Sequence, residues 1–312
     1  MVSISNSKVL NNYDTRANCP YLPAKNPLNL FKVTNTHLML PRAALAGCVR
    51  AYVSRNTQGI ELAPNDRLNH YPASPLCTLA WSIRGEGVLV SKGGVPLHQN
   101  VPERVLLMGP QTMPSVTQNI GEVHGLMVFL MPDALQALTG INLAELLDTY
   151  APVEQVLDVS WQRMANEVLT AHDDLARIQC IESFLLPRWE ACRASAERSP
   201  DSHTGWITHL MTRAALSGVG KSTRQLERRV KLWAGQSMQK LRGMARAETS
   251  FFAMRDASER EMLSWAELAF NAGFSDQAHM CREIRRITGF SPDEVRCAIN
   301  NQESFWIYRL WH

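Results

Sequence analysis

Residues 265–292, WAELAFNAGFSDQAHMCREIRRITGFSP, decide the fold of the last third of the chain. A short segment of alanine and larger apolar residues runs to Gly273, and an amphipathic segment follows it and ends at Gly289. Helices often end just before a glycine, because glycine adopts the left-handed conformation that closes the last turn. Two short helices joined by a tight glycine turn form a helix-turn-helix motif, which this stretch therefore predicts.

The same pattern occurs a second time, upstream. Residues 214–237, AALSGVGKSTRQLERRVKLWAGQS, run from an alanine-containing segment through a glycine turn to a helix that ends at Gly235. Arg and Gln on one isolated helix more often form a solvated face than a DNA-binding one. Repetition of the whole unit favours the opposite interpretation, which is two helix-turn-helix units that bind DNA.

The starts of these helices carry a physical mark, a Ser followed three residues later by Glu or Gln. In such a capping box, each side chain binds a free backbone N–H group of the other residue. Three of these pairs occur in the segment: Ser222 with Gln225, Ser264 with Glu267, and Ser291 with Glu294. Pro292 follows the last serine at the first helical position, where its missing N–H group costs nothing.

Helical periodicity assigns two faces to the second helix of each unit. Apolar residues recur at i, i+4 and i+7 and are predicted to face the core: Leu226, Val230 and Trp233 in the first unit, and Met280, Ile284 and Ile287 in the second. The opposite faces carry Arg224, Glu227, Arg228 and Lys231 in the first unit, and Gln277, Ala278, Cys281, Arg282 and Arg285 in the second. An α-helix fits the major groove of DNA, where Arg pairs with guanine and Gln with adenine.

Positive charge is concentrated in the same segment. Residues 204–312 carry 16 Lys and Arg against 11 Asp and Glu, whereas residues 1–203 carry 16 against 18. A local excess of this kind neutralises DNA phosphates and gives a salt-dependent affinity, although a solvated basic face has a similar composition. The expected phosphate contacts are Lys221, Arg229, Lys231, Lys240, Arg242 and Arg285.

The segment resembles the DNA-binding domain of the AraC/XylS family of transcription regulators. The resemblance rests on residues 273–279 and on the closing Gly289-Phe290-Ser291-Pro292. It implies two helix-turn-helix subdomains joined by a long helix within residues 237–255, with two recognition helices in successive major grooves on one face of the DNA. The base-reading residues that it implies are Arg224, Glu227 and Arg228 in the first helix, and Gln277, Ala278 and Arg282 in the second.

The second recognition helix departs from the family pattern. Ala278 and Cys281 are small where family members often place polar side chains that read bases. We therefore expect this helix to depend on Gln277 and Arg282.

The preceding part of the chain has a different pattern. Within residues 40–131, short apolar runs alternate with turn residues, which predicts an antiparallel β-rich, barrel-like domain. The expected strands lie at residues 78–83, 87–90, 105–108, 115–118 and 126–130, with breaks at Gly85, Gly93-Gly94, Gly109-Pro110 and Gly121.

Helical patterns follow these strands, at residues 132–138, 161–172 and 175–194. The polar segment at residues 193–202 has the composition of a linker. We therefore predict an α+β protein in which each domain buries its own core. The expected bounds are 1–195 for an N-terminal β-rich sensing or dimerisation domain with a helical tail, 196–203 for the linker, and 204–312 for an all-α DNA-binding domain.

Two runs in the N-terminal half, Gly109-Pro110-Gln111-Thr112 and residues 140–146, resemble the sensor-type domain that accompanies one branch of the AraC/XylS family. The resemblance implies a cupin-like β-domain for ligand binding or dimerisation, but it names no ligand. Trp81 and Tyr71 are suited to the floor of a small-molecule pocket, although large aromatic residues in a β-domain more often form plain core.

The β-rich domain also contains candidate ligands for a metal site. The candidate ligands are His70, His98, His124, Glu103 and Glu122, whose imidazole and carboxylate groups bind several transition metals. A barrel metal site usually takes two ligands from one strand at close spacing, and no such pair occurs. Gly85-Glu86-Gly87 lacks the rest of a dinucleotide fingerprint, and no phosphate-binding loop is present. We therefore expect no metal, no cofactor and no catalytic residue.

Composition sets the expected compartment. The longest uncharged apolar run, residues 125–132, is far shorter than the ~20 residues of a membrane-spanning helix. The polar residues 1–13 lack the regions of a signal peptide. Seven cysteines with no pair at two-residue spacing argue against a disulfide framework or zinc ribbon and predict reduced thiols. The expected location is the cytoplasm.

The function predicted from sequence is sequence-specific DNA binding by a transcription regulator. The expected partners are double-stranded DNA, RNA polymerase, a small-molecule effector of unknown identity, and a second copy of the chain bound through the N-terminal half. Two alternatives remain open. One is a metal-dependent cupin-type enzyme fused to a DNA-binding domain, and the other is a dimeric DNA-binding protein that responds to no ligand.

Overall fold

The computed structural model describes residues 35–101, 103–192, 203–216, 222–258 and 264–310. The strands in these ranges are β1 (Asn35–Met39), β2 (Val49–Asn56), β3 (Leu68–Tyr71), β4 (Cys77–Lys92), β5 (Val95–Val101), β6 (Val105–Met108), β7 (Ser115–Leu130) and β8 (Tyr150–Pro152). They form one antiparallel sheet in the order β1-β2-β7-β4-β6-β8, with β3 paired to β7 and β5 to β4.

The two longest strands, β4 and β7, each join two of the strands predicted from sequence. The breaks predicted at Gly85 and Gly121 are wrong. Both glycines have a positive φ, +81° and +76°, and the register of the β4–β7 pair shifts around them. Each glycine therefore forms part of a bulge, which bends a strand without ending it. β6 has the predicted bounds, whereas the sequence did not predict β1, β2, β3, β5 or β8.

The sheet has two different faces, which the central strand β4 shows best. Leu79 and Trp81 are buried against a layer of helices, where Trp81 Nε1 donates to the Ala165 carbonyl at 3.0 Å. Side chains alternate along a strand, so the residues between them point to the opposite face. On that face, the first half of β4, up to Ile83, carries only small side chains: Thr78, Ala80 and Ser82.

The helical layer on the N-terminal half follows the sequence prediction. Its helices are α1 (Pro132–Thr139), α2 (Val153–Val156), α3 (Val159–Thr170) and α4 (Asp174–Cys192). α1, α3 and α4 match the three predicted helices to within a few residues. Gly140 closes α1 with a positive φ of +72°, and the Asp158 carboxylate caps α3 by accepting from the Ser160 and Trp161 amides.

The C-terminal half is helical throughout its described residues. Its helices are α5 (His203–Leu216), α6 (Thr223–Ala234), α7 (Met238–Ser258), α8 (Trp265–Asn271), α9 (Gln277–Thr288), α10 (Pro292–Asn301) and α11 (Trp306–Leu310). The predicted joining helix is α7, and the α+β fold class is confirmed. The polar segment at residues 193–202, predicted as a linker, lies outside the described residues.

The core does not divide into one cluster per predicted domain. One apolar cluster contains the helix-facing side of the sheet together with Trp206 and Leu210 of α5 and Val230 of α6. A separate cluster, which includes Phe274, Met280, Ile284 and Val295, belongs to helices α7 to α10 alone. A third, smaller cluster joins Ile287 at the end of α9 to Ala73 of the N-terminal half. The first helix-turn-helix unit therefore shares the main core with the N-terminal half, whereas the second has a core of its own and meets the N-terminal half at the end of α9.

Candidate nucleic-acid interface

The second predicted recognition helix is α9, and its start is fixed by a cap. The Asp276 carboxylate accepts from the His279 amide at 2.6 Å, and this backbone hydrogen bond lowers the pKa of Asp276. Gly289 ends the helix with a φ of +86°. Met280, Ile284 and Ile287 are buried as predicted. On the opposite face Cys281 is half-buried, and the other four residues are exposed: Gln277, Ala278, Arg282 and Arg285.

The preceding helix α8 and its turn complete the second unit. Ser264 caps α8 by accepting from the Glu267 amide at 3.1 Å, and Gly273 makes the turn with a φ of +78°. Phe274, just after the turn, is buried and meets the His279 ring edge-on at 5.4 Å. The predicted capping box of α10 forms in full between Ser291 and Glu294. The second unit thus has the local structure that its sequence predicts.

The first predicted recognition helix is α6. Its N-cap Ser222 makes no side-chain hydrogen bond, so the capping box predicted with Gln225 does not form. Gly235 ends α6 with a φ of +69°. Val230 is buried, whereas Leu226 and Trp233 are half-buried. Four residues predicted for the opposite face are exposed: Arg224, Glu227, Arg228 and Lys231.

Helix α7 brings the two units together, because it packs against α5, α6, α8 and α9. A Cβ at Gly243 would overlap the Glu283 carboxylate, so α7 and α9 approach closely at this point. Glu283 also accepts from Arg286 at 2.7 Å, and this hydrogen bond lowers the pKa of the carboxyl. Gly243 therefore leaves the space on α7 that the Glu283 carboxylate of α9 occupies.

The predicted phosphate contacts have different surroundings. Lys231 and Lys240 are exposed, and Lys221 lies outside the described residues. Arg229 donates to the Ala214 carbonyl at 3.0 Å, so it also ties α6 to α5. The remaining two residues also contact protein atoms. Arg242 lies 3.5 Å from the Met211 sulfur, and Arg285 lies 3.4 Å from the Glu294 carboxylate. Binding to phosphate remains a prediction for all six.

The end of α9 is anchored to the N-terminal half. The Ala73 amide donates to the Ile287 carbonyl at 2.8 Å, and Arg286 Nη1 donates to the Thr112 carbonyl at 3.1 Å. Gln277 and Ala278, at the other end of the helix, are exposed. The helix is thus held at its C-terminal end and presents its N-terminal end to solvent.

Residues 303–310, which we call the C-terminal segment, also contact the sheet. The Glu303 carboxylate, 8% exposed, accepts from Arg55 at 2.8 Å and from Arg309 at 2.7 Å. Trp306 Nε1 donates to Asn69 Oδ1 at 2.8 Å, and the Phe305 ring stacks on His70 at 4.4 Å between centroids. Sequence reasoning missed these contacts, because no local pattern links residues so far apart in the chain.

A cavity of about 1020 Å³ lies between the sheet and the C-terminal half. Its lining includes Thr78 and Ser82 of β4, Met244 and Phe251 of α7, and Tyr308 of the C-terminal segment. Tyr71 and Trp81 are both among the residues around the cavity, but the Trp81 side chain points to the helical layer and is part of the core.

The candidate metal ligands named from the sequence do not lie together in the structure. His70 lies between Phe305 and Phe290, and its burial lowers its pKa to about 4. His124 Nε2 lies 3.0 Å from the Asp174 carboxylate, and His98 is exposed. Among the described residues, no group of three His, Cys, Asp or Glu side chains is placed to hold a metal ion.

Five cysteines of the described ranges are free thiols, as expected: Cys48, Cys77, Cys180, Cys192 and Cys281. Burial raises the pKa of Cys48 and Cys77 and so keeps both thiols protonated. In the described part of the chain, no helix combines the length and the apolar character that a membrane crossing requires.

Comparison with known proteins gives one match to a family model, described as a helix-turn-helix domain, over residues 217–298. No curated protein sequence matches the chain significantly. Similar solved structures include an apo variant of ToxT from Vibrio cholerae, at 10% identity and TM-score 0.38 over 79% of this chain and 97% of that one. Another is the AraC-like transcriptional activator CuxR, at 10% identity and TM-score 0.25 over 88% of this chain and 99% of that one. Similarities this weak do not transfer a ligand or a mechanism.

Proposed function

We propose that this chain, whose residues 217–298 match a helix-turn-helix family model, is an AraC-type, sequence-specific transcription regulator that binds double-stranded DNA. The proposal rests on the matching arrangement of α6 and α9. Each helix turns an apolar stripe toward the core and a polar face toward solvent, and α7 joins them. Two such helices bind successive major grooves, about one helical turn or roughly 10 base pairs apart.

The residues proposed to read bases are those at the exposed faces of the two helices: Arg224, Glu227, Arg228, Gln277, Ala278 and Arg282. Arg forms bidentate contacts with guanine, and Gln does so with adenine. Lys231 and Lys240 are proposed to contact phosphate, because both are exposed and neither has an acidic partner within the described residues.

The N-terminal half is proposed to receive a small-molecule effector in the cavity and to bind a second copy of the chain. The regulator would act on RNA polymerase at the promoter. The scattered positions of His70, His98 and His124 support this reading over a metal-dependent enzyme. The other alternative, a dimer without a ligand, differs from the proposal only in the use of the cavity.

The test is selection of bound sequences from a random DNA pool by the full-length chain, followed by footprinting. We expect one consensus with two half-sites, roughly 10 base pairs apart. Affinity should fall as salt rises, and Lys231→Ala should reduce the logarithmic salt slope by about 0.9 without changing the consensus. Arg163→Ala, at an exposed position on α3, is the matched control. Selection without enrichment of any consensus would refute sequence-specific binding.

A further inference from the structure

The floor of the cavity is made by small side chains of β4. Thr78, Ala80 and Ser82 lie in a row on the face that looks away from the helical layer, and all three line the cavity. Neither the Thr78 nor the Ser82 hydroxyl has a hydrogen-bond partner among the described residues. With four residues at about 3.4 Å each, the two hydroxyls are roughly 13 Å apart along the strand.

The neighbours of this row on the adjoining strands are apolar. Ala80 is paired with Leu106 on β6 and Met127 on β7, and Thr78 is paired with Met108 and Phe129 on the same two strands. All four neighbours line the cavity. The floor is thus an apolar strip with an uncharged hydroxyl toward each end.

The charges that line the cavity are balanced by other protein charges. Glu303, beside the lining, accepts from both Arg55 and Arg309. Glu248 lies 3.3 Å from His203, whose pKa is lowered by burial, so this histidine adds no positive charge at neutral pH. Counted together, the four lining arginines are matched in number by three lining glutamates and Glu303: Arg50, Arg55, Arg84 and Arg309 against Glu86, Glu103, Glu248 and Glu303. A charged ligand would lose its hydration here without gaining an opposite charge that is not already matched, which is unfavourable.

We propose that this cavity binds an uncharged, elongated molecule with an apolar body and one or two hydroxyl, carbonyl or amide groups. The volume of about 1020 Å³ accommodates a ligand of ordinary metabolite size. Thr78 and Ser82 would form hydrogen bonds with its polar groups, and the apolar strip would contact its body. The inference deepens the effector role and so rests on the proposed function.

The same ligand would touch the DNA-binding half. Met244, Ala247 and Phe251 of α7 line the cavity, and α7 contacts α9 closely at Gly243. A molecule in the cavity would therefore contact the helix that joins the two helix-turn-helix units. Ligand binding would therefore change how stably α7 packs against the sheet.

The test compares three probes that share a ten-carbon chain and differ in charge: decanamide, decanoate and decylammonium. Each is added below its micelle concentration to the full-length chain, and the melting temperature and tryptophan fluorescence are recorded. Decanamide is expected to raise the melting temperature by about 3 °C at ten times its dissociation constant. Decanoate and decylammonium are expected to give less than a third of that shift.

Variants locate the site. Thr78→Val and Ser82→Ala each remove one hydroxyl. Decanamide has a single amide group, so the variant that lacks the hydroxyl bound to this group should weaken decanamide binding about 5-fold, the loss of one hydrogen bond. Thr170→Val, which removes an exposed hydroxyl at the end of α3, is the matched control and should bind decanamide normally. If either variant lowers the melting temperature of the free chain, its binding of decanamide is compared by the dissociation constant and not by the shift in melting temperature.

Three results would overturn the inference: a larger shift with decanoate or decylammonium than with decanamide, no binding of any probe, or unchanged affinity in both hydroxyl variants. DNA selection on the same preparation separates this failure from failure of the proposed function. A chain that selects a DNA consensus but binds no probe contradicts only the cavity assignment. A chain that binds decanamide but selects no consensus contradicts the regulator.

Discussion

The two helix-turn-helix units share one motif but are held in different ways. α9 buries its whole apolar stripe, and the Asp276 carboxylate caps its first turn. α6 buries only Val230 of its stripe, and Ser222 gives its first turn no side-chain cap. The second unit is therefore ordered mainly by its own residues and is anchored to the N-terminal half only where α9 ends, whereas the first is ordered by the core that it shares with the N-terminal half.

This difference shows that the structure of a helix-turn-helix unit can be stabilised by its own residues or by the residues that surround it. A unit that is specified by its surroundings responds to changes in them. The orientation of α6 should therefore depend on the N-terminal half more than the internal structure of the second unit does. In the proposed regulator, such dependence would allow the N-terminal half to influence the exposed face of α6, which is proposed to bind DNA.

The largest expected effect comes from truncating the two apolar stripes. Met280 is fully buried in the core of the second unit, and Met280→Ala should lower the free energy of unfolding by roughly 3–4 kcal/mol. Leu226 is half-buried, so Leu226→Ala should cost roughly 1–2 kcal/mol. Urea denaturation of both variants measures the difference. Equal losses would show that the first unit is as well packed as the second.

A second test breaks the link between the first unit and the N-terminal half. Asp133 on α1, 5% exposed, accepts from Trp206 Nε1 at 3.0 Å and from Arg213 Nη1 at 2.5 Å. Asp133→Ala leaves both donors unpaired and should cost about 2–3 kcal/mol. Amide hydrogen exchange should then accelerate in α5 and α6 more than in α9. Glu190→Ala, an exposed change on α4, is the control, and uniform acceleration in all three helices would contradict the comparison.

The third prediction asks whether the two units read DNA equally despite this difference. Arg228 and Arg282 occupy corresponding exposed positions, two residues after Leu226 and Met280. Arg228→Ala and Arg282→Ala should each cost about 1–3 kcal/mol at the selected site and far less on scrambled DNA. Titration of both DNAs measures the two losses. An arginine whose removal weakens both equally is a phosphate contact.

The smallest effect concerns pH and the contact between the C-terminal segment and the sheet. Burial lowers the pKa of His70 to about 4, below the value of about 6.5 in an unfolded chain. The folded state thus holds this proton less tightly. The stability that depends on neutral His70 is present above pH 6.5 and is lost as the pH falls toward 4.

Between pH 7.5 and 5.5, the parent chain should therefore lose about 1.4 kcal/mol more unfolding free energy than His70→Phe. Urea denaturation at the two pH values gives the comparison, and shifts from other histidines cancel because both chains share them. Identical losses would show that His70 is readily protonated in the folded state.

Sequence patterns predicted the second unit well, because its signals are local. The caps at Ser264 and Ser291, the stripe of α9 and the glycine turns all act within a few residues. The exposed faces of α6 and α9 were predictable for the same reason, since helical period alone assigns them. Their contacts with DNA remain a prediction.

The sheet and the interdomain contacts were harder to predict. Gly85 and Gly121 looked like strand ends, but pairing across β4 and β7 kept both strands continuous. Whether a glycine ends a strand or bends it depends on the partner strand, which the local sequence does not contain. The shared core, the cavity and the anchoring of α9 all join distant residues and gave no periodic signal.

The Glu303 carboxylate has a consequence for biosynthesis. Arg55 and Glu303 are separated by 248 positions, so the ribosome adds all of those residues before the pair can form. At 5–20 residues per second, this interval is about 12–50 s. During that time Arg55 cannot be buried beside its carboxylate, so this part of the nascent sheet stays open. Closure of the cavity wall is therefore among the last steps in making the protein.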